Sequence, residues 1–246
     1  MSLPLRLCLA THNPHKVEEL RQLLRLHAPA LLQQVELVSL AELGVHEEVV
    51  EDGQTYAENS LKKARAAHER TGLWALGDDS GLEVAALGGA PGLYSARYGG
   101  KPREGQTADS RNREVLLAAL QKVPLAERQG RFVCMLCLYG RTTAASPPLT
   151  YLRSGECAGR LLLRERGDGG FGYDPLFVPD QHELKTAGLA ARLSEQTFAE
   201  LSSDEKNRLS HRTRALCALR EALAAVAMGH PLPGDPSPLG TAGHPT

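Results

Sequence analysis

Short apolar runs alternate with amphipathic segments through the first half of the chain. The first run, Leu5 to Ala10, is followed by Thr11-His12-Asn13-Pro14, whose residues favour a turn, and then by apolar side chains at helical spacing from Lys16 to Leu26. This order predicts a strand, a tight loop and a helix, and similar transitions recur further along the chain.

The same periodicities predict the other elements. Strands are expected at 32–40, 73–77, 82–86, 131–139 and 149–157, and helices at 55–70, 107–120 and 210–228, with another helix beginning at the capping-box sequence 202–205. A polar loop joins the last two strands, which favours an antiparallel hairpin. Interleaved strands and helices beside such a hairpin predict an α/β or α+β sheet covered by helices.

The composition is that of a folded protein whose main partner is not expected to be a polyanionic polymer. With 246 residues, 42% of them hydrophobic, the chain can bury a substantial core. Its formal net charge of −1 gives no overall attraction to nucleic acid or to an anionic membrane. No apolar run approaches the roughly 20 residues that span a bilayer, and the opening residues lack the pattern of a secretory signal. We therefore expect a cytoplasmic protein.

We expect one domain over residues 1–229 and a disordered tail over residues 230–246, because the tail is rich in Pro and Gly and has almost nothing to bury. The five cysteines are scattered and odd in number, unlike a disulfide framework. Cys134 and Cys137 lie in one predicted strand, where residues three apart face opposite sides. We expect them to be buried apolar residues.

The loop between the first strand and the first helix is a candidate phosphate site. Backbone N–H groups and the positive end of the helix dipole favour an anion there. Thr11 and Asn13 can donate hydrogen bonds, and Lys16 adds a positive charge. Thr and Asn are also good helix N-caps, so simple capping is the alternative interpretation of the same residues.

A second candidate site is the acidic pair Asp78-Asp79 at the end of a predicted strand. Adjacent carboxylates repel one another unless a cation or hydrogen-bond donors lie nearby. The acidic stretch from Glu47 to Asp52 offers a further oxygen ligand, and such ligands suit Mg²⁺ bound together with substrate phosphates. A solvated turn in which Asp caps the next element is the alternative.

Two later segments have the chemistry of a base pocket. Phe171-Gly172-Tyr173-Asp174-Pro175 offers aromatic faces that can stack on a base and a carboxylate that can accept from ring N–H groups. A structural turn with a buried Tyr is equally compatible with this motif. Ser210-His211-Arg212 begins the last predicted helix, and its Arg can donate to the O6 and N7 edge of a 6-oxopurine. A surface His-Arg pair is the alternative there.

Taken in order, these segments resemble the Ham1, or inosine triphosphate pyrophosphatase, family. The resemblance covers residues 5 to about 225 and rests on six motifs. The motifs are Thr11-His12-Asn13-Pro14-His15-Lys16, Glu51-Asp52-Gly53 with Glu58-Asn59, the segment 77–84, the segment 87–98, Gly170-Phe171-Gly172-Tyr173-Asp174-Pro175, and Ser210-His211-Arg212. Six ordered motifs are far more specific than any one of them.

The resemblance implies a noncanonical purine nucleoside triphosphatase that uses Mg²⁺ to cleave dITP, ITP and XTP to the monophosphate and pyrophosphate. It also implies an α/β fold with a long, curved mixed β-sheet flanked by helices, in two lobes around a central cleft, and a homodimer. A nucleotide-binding sensor without turnover, and a pyrophosphatase for other modified or pyrimidine nucleotides, are the alternative functions.

The resemblance also assigns residues position by position. The triphosphate would be held by Thr11, Asn13 and Lys16, with Lys63 from the following helix, and the substrate would also contact His12, Pro14 and His15. Glu51 and Asp79 would bind the metal, Asp79 would also activate water, and Ser80 would touch the substrate. The base would be enclosed by Phe171, Gly172, Tyr173, Asp174, Lys206, His211 and Arg212.

Two features of the chain depart from the family pattern. His12 stands where the family usually has Gly, so the backbone is expected to approach phosphate less closely unless the imidazole adds a contact. Residues 181–194 are an apparent insertion after the base-pocket motif. The resemblance is therefore least informative for the loop that follows that motif.

Overall fold

The computed structural model describes residues 4–230, which form a six-stranded mixed sheet flanked by helices. In that range the strands are β1 (Leu5–Leu9), β2 (Val35–Ser39), β3 (Trp74–Val84), β4 (Gln129–Gly140), β5 (Leu149–Leu161) and β6 (Phe177–Pro179). The α-helices are α1 (Pro14–His27), α2 (Pro29–Leu32), α3 (Tyr56–Thr71), α4 (Ala108–Ala119), α5 (Gln181–Thr186), α6 (Ser203–Leu209) and α7 (His211–Met228). Apart from His230, the predicted tail at 230–246 lies outside the described residues.

The sheet has the strand order β2-β1-β3-β4-β5-β6. The three strands β2, β1 and β3 are parallel, as expected for strands separated by helices, whereas β3, β4, β5 and β6 pair antiparallel. The predicted hairpin is confirmed as β4 and β5. The prediction of an α/β fold with a long, curved mixed sheet is also confirmed.

The acidic motif lies inside a strand and not in a turn. The sequence predicts two strands, at 73–77 and 82–86, but the structure has one strand of 11 residues, β3. Within it, Asp78 to Gly81 pair with Leu136 to Val133 of β4. The solvated-turn interpretation is therefore wrong. Asp and Gly have low strand propensity, but pairing along the apolar strand β4 overrides that local preference.

Smaller differences from the predicted elements have local causes. The second strand begins at Val35 and not at residue 32, because Pro29 starts a short helix. The three-residue strand β6 is too short for any periodicity to reveal. The apparent insertion at 181–194 forms α5 and a 3₁₀ turn, and its Leu184 and Leu193 join the core cluster that contains Tyr173.

The core contains a large apolar cluster toward each end of the long strands. One cluster packs α1 and α7 against the sheet, and the other packs α4 and α5 against it. β3 contributes Leu76 to the first cluster and Leu82 to the second. The polar motif of β3 therefore lies at the junction of the two clusters, where a cleft between two lobes is expected.

Capping side chains fix where three helices begin. Asn13 caps α1, and Ser210 caps α7 by accepting from the N–H of Thr213. Ser202 and Glu205 form the capping box predicted for α6. Because side chains close to these three helix starts line one cavity, the caps also determine the positions of candidate site residues.

Two general expectations can be compared with the described residues. Cys134 and Cys137 are both buried, as predicted, and belong to different core clusters, as expected for opposite faces of β4. Between residues 4 and 230, no helix is long and apolar enough to cross a membrane.

We predict that Gly77→Ala destabilises the protein. A Cβ atom at residue 77 would lie 2.1 Å from the carbonyl oxygen of Ser60 and 3.0 Å from the nitrogen of Ala64, both in the backbone of α3. Overpacking costs about 1–3 kcal/mol of unfolding free energy, which urea titration would measure. The control Ser154→Ala, at an exposed position of β5, should change that free energy by less than about 0.5 kcal/mol. Equal stability of Gly77→Ala and the wild type would contradict this packing of α3 on β3.

Candidate active site

The loop before α1 has the geometry of an anion site. Asn13 Oδ1 accepts from the backbone N–H of His15 at 2.9 Å and of Lys16 at 3.3 Å. Thr11 Oγ1 accepts from the N–H of Asn13 at 3.1 Å. The capping interpretation is therefore confirmed for Asn13. Since both side chains act here as acceptors, the hydroxyl proton of Thr11 and the amide NH₂ of Asn13 are donors suited to a phosphate.

The histidines of this loop connect it to two other parts of the site. His12 Nε2 lies 3.1 Å from the carbonyl oxygen of Val45, in the segment that leads to Glu51. The ring of His15 stacks on Phe171, with centroids 5.4 Å apart and an interplanar angle of 13°. Pro14 occupies the first turn of α1. His12 stands where the resemblance led us to expect Gly, and its imidazole makes a contact between two loops.

Glu51 and Asp79 are brought together by Lys63. Lys63 Nζ lies 3.0 Å from Glu51 Oε1 and 2.7 Å from Asp79 Oδ1. The same nitrogen donates to the carbonyl oxygen of Asp78 at 3.1 Å. The two carboxylates assigned to the metal therefore face a common point, although they lie in a loop and in a strand.

The carboxylate of Asp79 has the properties of a metal ligand or a base. Burial raises its pKa above the ordinary value, although Lys63 acts in the opposite direction. Its Oδ2 is buried and has no hydrogen-bond partner among residues 4–230. A buried, unpartnered carboxylate oxygen beside a second carboxylate fits a hard divalent cation. In the same range, no cluster of three or more His, Cys, Asp or Glu side chains could hold a metal ion.

Asp78 contacts different groups, because neighbouring strand residues face opposite sides of a sheet. Its buried carboxylate binds Lys16 Nζ at 2.5 Å and Arg212 Nε at 2.6 Å. Burial opposes ionisation, but these two cations outweigh it and hold the pKa of Asp78 well below its ordinary value. Ser80, on the same face of β3, donates to Asp78 Oδ1 at 2.6 Å. Lys16 and Ser80 therefore belong to one ionic cluster with Asp78.

Arg212 is buried, so the surface interpretation of the His-Arg pair is wrong. Besides binding Asp78, its guanidinium donates to Glu19 at 2.5 Å and to Ser80 Oγ at 3.1 Å. These three contacts occupy three of the five N–H donors of an Arg side chain. Two N–H donors remain beyond these contacts, and Arg212 also lines a cavity.

Sequence reasoning missed Glu19, the second carboxylate that binds Arg212. Glu19 is buried on α1, on the helix face that also carries Leu20 and Leu23. A charged residue at an apolar position of an amphipathic helix was the signal available in the sequence. It indicates a buried ion pair, although it does not identify the partner.

The aromatic motif closes the other end of the site. Phe171 is half-buried, whereas Tyr173 is buried and its hydroxyl donates to the carbonyl oxygen of Ser95 at 2.9 Å. The motif therefore combines a ring available for stacking with a structural Tyr. Asp174 Oδ2 accepts from the N–H of Phe171 and from Lys206 Nζ, each at 2.8 Å.

Lys206 is buried between the aromatic motif and α1. Its Nζ lies 4.9 Å from the centroid of the Phe171 ring and 3.7 Å from Glu19 Oε1. Burial acts to lower the pKa of Lys206, but Asp174 and Glu19 outweigh it, so the pKa is raised and the side chain is charged. A charged ammonium group is thereby held beside the aromatic ring.

His211 is buried and neutral. Burial, reinforced by the positive charges of Arg212 and Lys206, holds its pKa well below the ordinary value. The ring stacks on Phe132 with centroids 4.9 Å apart. Its Nδ1 is buried without a hydrogen-bond partner among residues 4–230, and His211 lines a cavity.

Two adjoining cavities bring these groups together. One, of about 230 Å³, is lined by Thr11, His12, Asn13, Lys16, Glu51, Lys63, Asp79 and Ser80 among others. The other, of about 110 Å³, is lined by Phe171, Gly172, Tyr173, Asp174, Lys206, His211 and Arg212 among others. Asn13, Lys16, Ser80 and Ala96 line both, so the charged end and the aromatic end belong to one cleft. Of the residues predicted from the sequence, Pro14 and His15 line neither cavity.

A cleft with phosphate donors and carboxylates at one end and an aromatic-lined pocket at the other accommodates a nucleotide. The fold and the cleft together define an α/β nucleotide-binding protein. The chain belongs to the Ham1 family, whose model matches residues 7–222. The family expected from the six motifs is thereby confirmed.

Relatives and solved structures are similar over most of the chain. A dITP/XTP pyrophosphatase of Desulforamulus reducens is 43% identical over 219 residues, which are 89% of this chain and 96% of the relative. Another, of Syntrophobacter fumaroxidans, is 46% identical over 214 residues, 87% of this chain and 80% of the relative. The structure of a HAM1 protein from Coxiella burnetii has 35% identity and a TM-score of 0.68, covering 89% of this chain and 98% of that one.

We predict that His211 makes the protein less stable as the pH falls below about 6.5, the ordinary pKa of His. Because the folded protein holds the pKa of His211 well below that value, the unfolded chain takes up the proton first. Lowering the pH by one unit in this window then reduces the free energy of unfolding by up to about 1.4 kcal/mol.

Urea titrations between about pH 7 and pH 5 would measure this slope in the wild type and in His211→Gln, which should show a shallower decline. Asp79 and Asp174, whose raised pKa values give a slope of opposite sign, are present in both proteins. The control His46→Gln, at an exposed position, should retain the wild-type slope. Identical slopes for His211→Gln and the wild type would contradict a buried neutral His211.

Proposed function

We propose that the protein hydrolyses noncanonical purine nucleoside triphosphates, namely dITP, ITP and XTP, to the nucleoside monophosphate and pyrophosphate. The observation that carries the proposal is that Glu51 and Asp79 face the cavity that adjoins the aromatic pocket. A nucleotide whose base occupies the pocket places its phosphates beside these carboxylates. The names of the relatives, dITP/XTP pyrophosphatase, support the same substrate class.

Glu51 and Asp79 are the residues that would hold Mg²⁺, the cofactor in this proposal. Both contact Lys63, and Asp79 Oδ2 is the buried oxygen without a partner in the described part of the chain. Bound there together with substrate phosphates, Mg²⁺ would offset the negative charge that develops on the phosphate oxygens. The nearby cations of the chain, Lys16 and Lys63, are already paired with carboxylates, so they offset this charge only in part.

Asp79 is positioned to take the proton of the attacking water. Its carboxylate has an oxygen without a hydrogen-bond partner among residues 4–230, so it can accept that proton. In-line attack of that water on the α-phosphorus breaks the bond to the bridging oxygen, so pyrophosphate leaves with the electron pair of that bond. Lys16 and the first turn of α1 would bind and orient the phosphate oxygens.

Base selection follows from the hydrogen-bond donors around the aromatic pocket. Arg212 has N–H donors beyond those that bind Asp78, Glu19 and Ser80, and Lys206 lies beside Phe171. A 6-oxo group can accept from such donors. The N6 amino group of adenine would leave them unpaired in a buried site, which is costly.

Two further properties belong to the same proposal. The family resemblance implies a homodimer, which light scattering of the purified protein would detect. Hydrolysis of a nucleotide pool implies a cytoplasmic location, which fractionation of the source cells would test.

We predict that the first products from dITP or XTP with Mg²⁺ are the monophosphate and pyrophosphate, with dATP hydrolysed at roughly one hundredth of that efficiency. Asp79→Asn should lower kcat by about 10²–10⁴-fold, because the variant lacks the base. The control Asp204→Asn, an exposed residue of α6, should retain activity.

The measurement is separate detection of pyrophosphate and orthophosphate, with circular dichroism to verify folding. Orthophosphate as the first product would overturn the proposed bond cleavage. Binding of dITP without turnover would favour the sensor, and equal efficiency on dTTP would favour a pyrophosphatase of other specificity.

We predict that Glu51→Gln raises the Mg²⁺ concentration needed for half-maximal activity by about tenfold or more, because one charged ligand is lost. The matched control is Glu48→Gln, which removes the same charge from an exposed residue lining the same cavity. Its Mg²⁺ dependence should stay close to that of the wild type. Equal Mg²⁺ dependence of the two variants would contradict the assignment of Glu51.

A further inference from the structure

The aromatic motif is held by the helix α4, whose Asp109 and Asn112 also line the aromatic pocket. The N–H of Gly172 donates to Asp109 Oδ2 at 2.7 Å, and the carbonyl oxygen of Gly172 accepts from Arg113 Nη1 at 2.8 Å. Asp109 and Arg113 are four residues apart, which places them on the same face of α4. One residue of the motif is thus bound through both its backbone donor and its backbone acceptor.

These two contacts restrain Gly172 through its backbone. Its backbone is left-handed, with φ at +60°, and nothing lies within 4 Å of the place where a Cβ atom would be. Packing of a side chain therefore contributes no restraint. Hydrogen bonds between backbone groups and ionised side chains are about twice as strong as neutral ones, so Asp109 and Arg113 supply the restraint that packing does not.

α4 is itself fixed to the wall of the cleft. Asn112 accepts from the N–H of Gly99 at 2.6 Å and donates to the carbonyl oxygen of Ala96 at 3.1 Å. Ala96 lines both cavities of the cleft. Arg113 also forms an ion pair with Glu165 at 2.9 Å. The contacts to Gly172 therefore start from an anchored helix and not from mobile surface side chains.

We propose that Asp109 and Arg113 are positioning residues that set the Phe171 ring for stacking on the substrate base. Phe171 precedes Gly172 directly, so displacement of Gly172 displaces the ring. The inference rests on the proposed function, since it assumes a purine in the aromatic pocket. It adds α4 to the site, whereas the residues assigned by family resemblance come from other elements.

Kinetics with dITP and Mg²⁺ test this role. Asp109→Ala and Arg113→Ala should each raise KM about tenfold and leave kcat within about twofold, because base binding weakens while the groups around Asp79 are unchanged. Asp109→Asn keeps an acceptor for the N–H of Gly172 and should restore KM to within about threefold of the wild type. The matched control is Glu114→Ala on the same helix, whose ion pairs are with Arg103 and Arg111; its KM should equal that of the wild type.

Hydrogen–deuterium exchange gives a second measurement that does not depend on turnover. Amide exchange at 171–174 should be about tenfold faster in Asp109→Ala and Arg113→Ala than in the wild type and Glu114→Ala. If the wild type hydrolyses no triphosphate, the proposed function fails while exchange still tests the contacts to Gly172.

Two results would overturn the inference. One is unchanged KM and unchanged exchange in both alanine variants. The other is Asp109→Asn as impaired as Asp109→Ala, because the role proposed for Asp109 needs only an acceptor. If Asp109→Ala does not fold, the test uses the other two variants. Raised KM and faster exchange in Arg113→Ala, with near wild-type KM in Asp109→Asn, would support the inference, and unchanged KM and exchange in Arg113→Ala would overturn it.

Discussion

A buried network of charges in the cleft is the constraint on which the rest of the structure depends. It pairs three carboxylates with three cations, namely Glu19, Asp78 and Asp174 with Lys16, Lys206 and Arg212. Loss of one member of a buried ion pair leaves an uncompensated charge, at a cost of about 3–5 kcal/mol. Because its members come from α1, β3, the aromatic motif, α6 and α7, the network joins elements that pack in the two large apolar clusters, and the cleft forms only when these elements are together.

Side chains alternate between the two faces of β3, so the adjacent residues Asp78 and Asp79 have different surroundings. Asp78 faces the buried cations and has a pKa held well below its ordinary value, so it is a permanent counter-ion. Asp79 faces Lys63 and Glu51, has a raised pKa, and retains an oxygen without a partner in the described range 4–230. One side chain is therefore committed to the folded structure, and the next has the open acceptor oxygen that the proposed metal-binding and base roles of Asp79 require. A solvated turn would not have imposed this division, since only the pleat of a strand directs neighbouring residues to opposite faces.

Much of the fold and of the candidate site could be predicted from the sequence. Periodicity predicted the main strands and helices, and the six motifs predicted most of the residues that line the cleft. Two kinds of information were missing from local patterns. The continuity of β3 depends on pairing with β4, which is distant in sequence, and the partners of Glu19 and Gly172 come from α7 and α4. Residues such as Asp109 and Arg113 look like ordinary helix-surface charges until the tertiary structure places a backbone group beside them.

The charge balance of the cleft also constrains how a triphosphate can bind. Lys16 is shared with Asp78, and Lys63 is shared by Glu51 and Asp79, so neither cation is available without leaving a carboxylate behind. The four cations Lys16, Lys63, Lys206 and Arg212 face five carboxylates, so the cleft is negative before any phosphate enters. Helix dipoles offset only about half a charge. Under the proposed function, a polyanionic substrate therefore needs additional positive charge, and the proposed Mg²⁺ beside Glu51 and Asp79 would supply it at the phosphate end of the cleft.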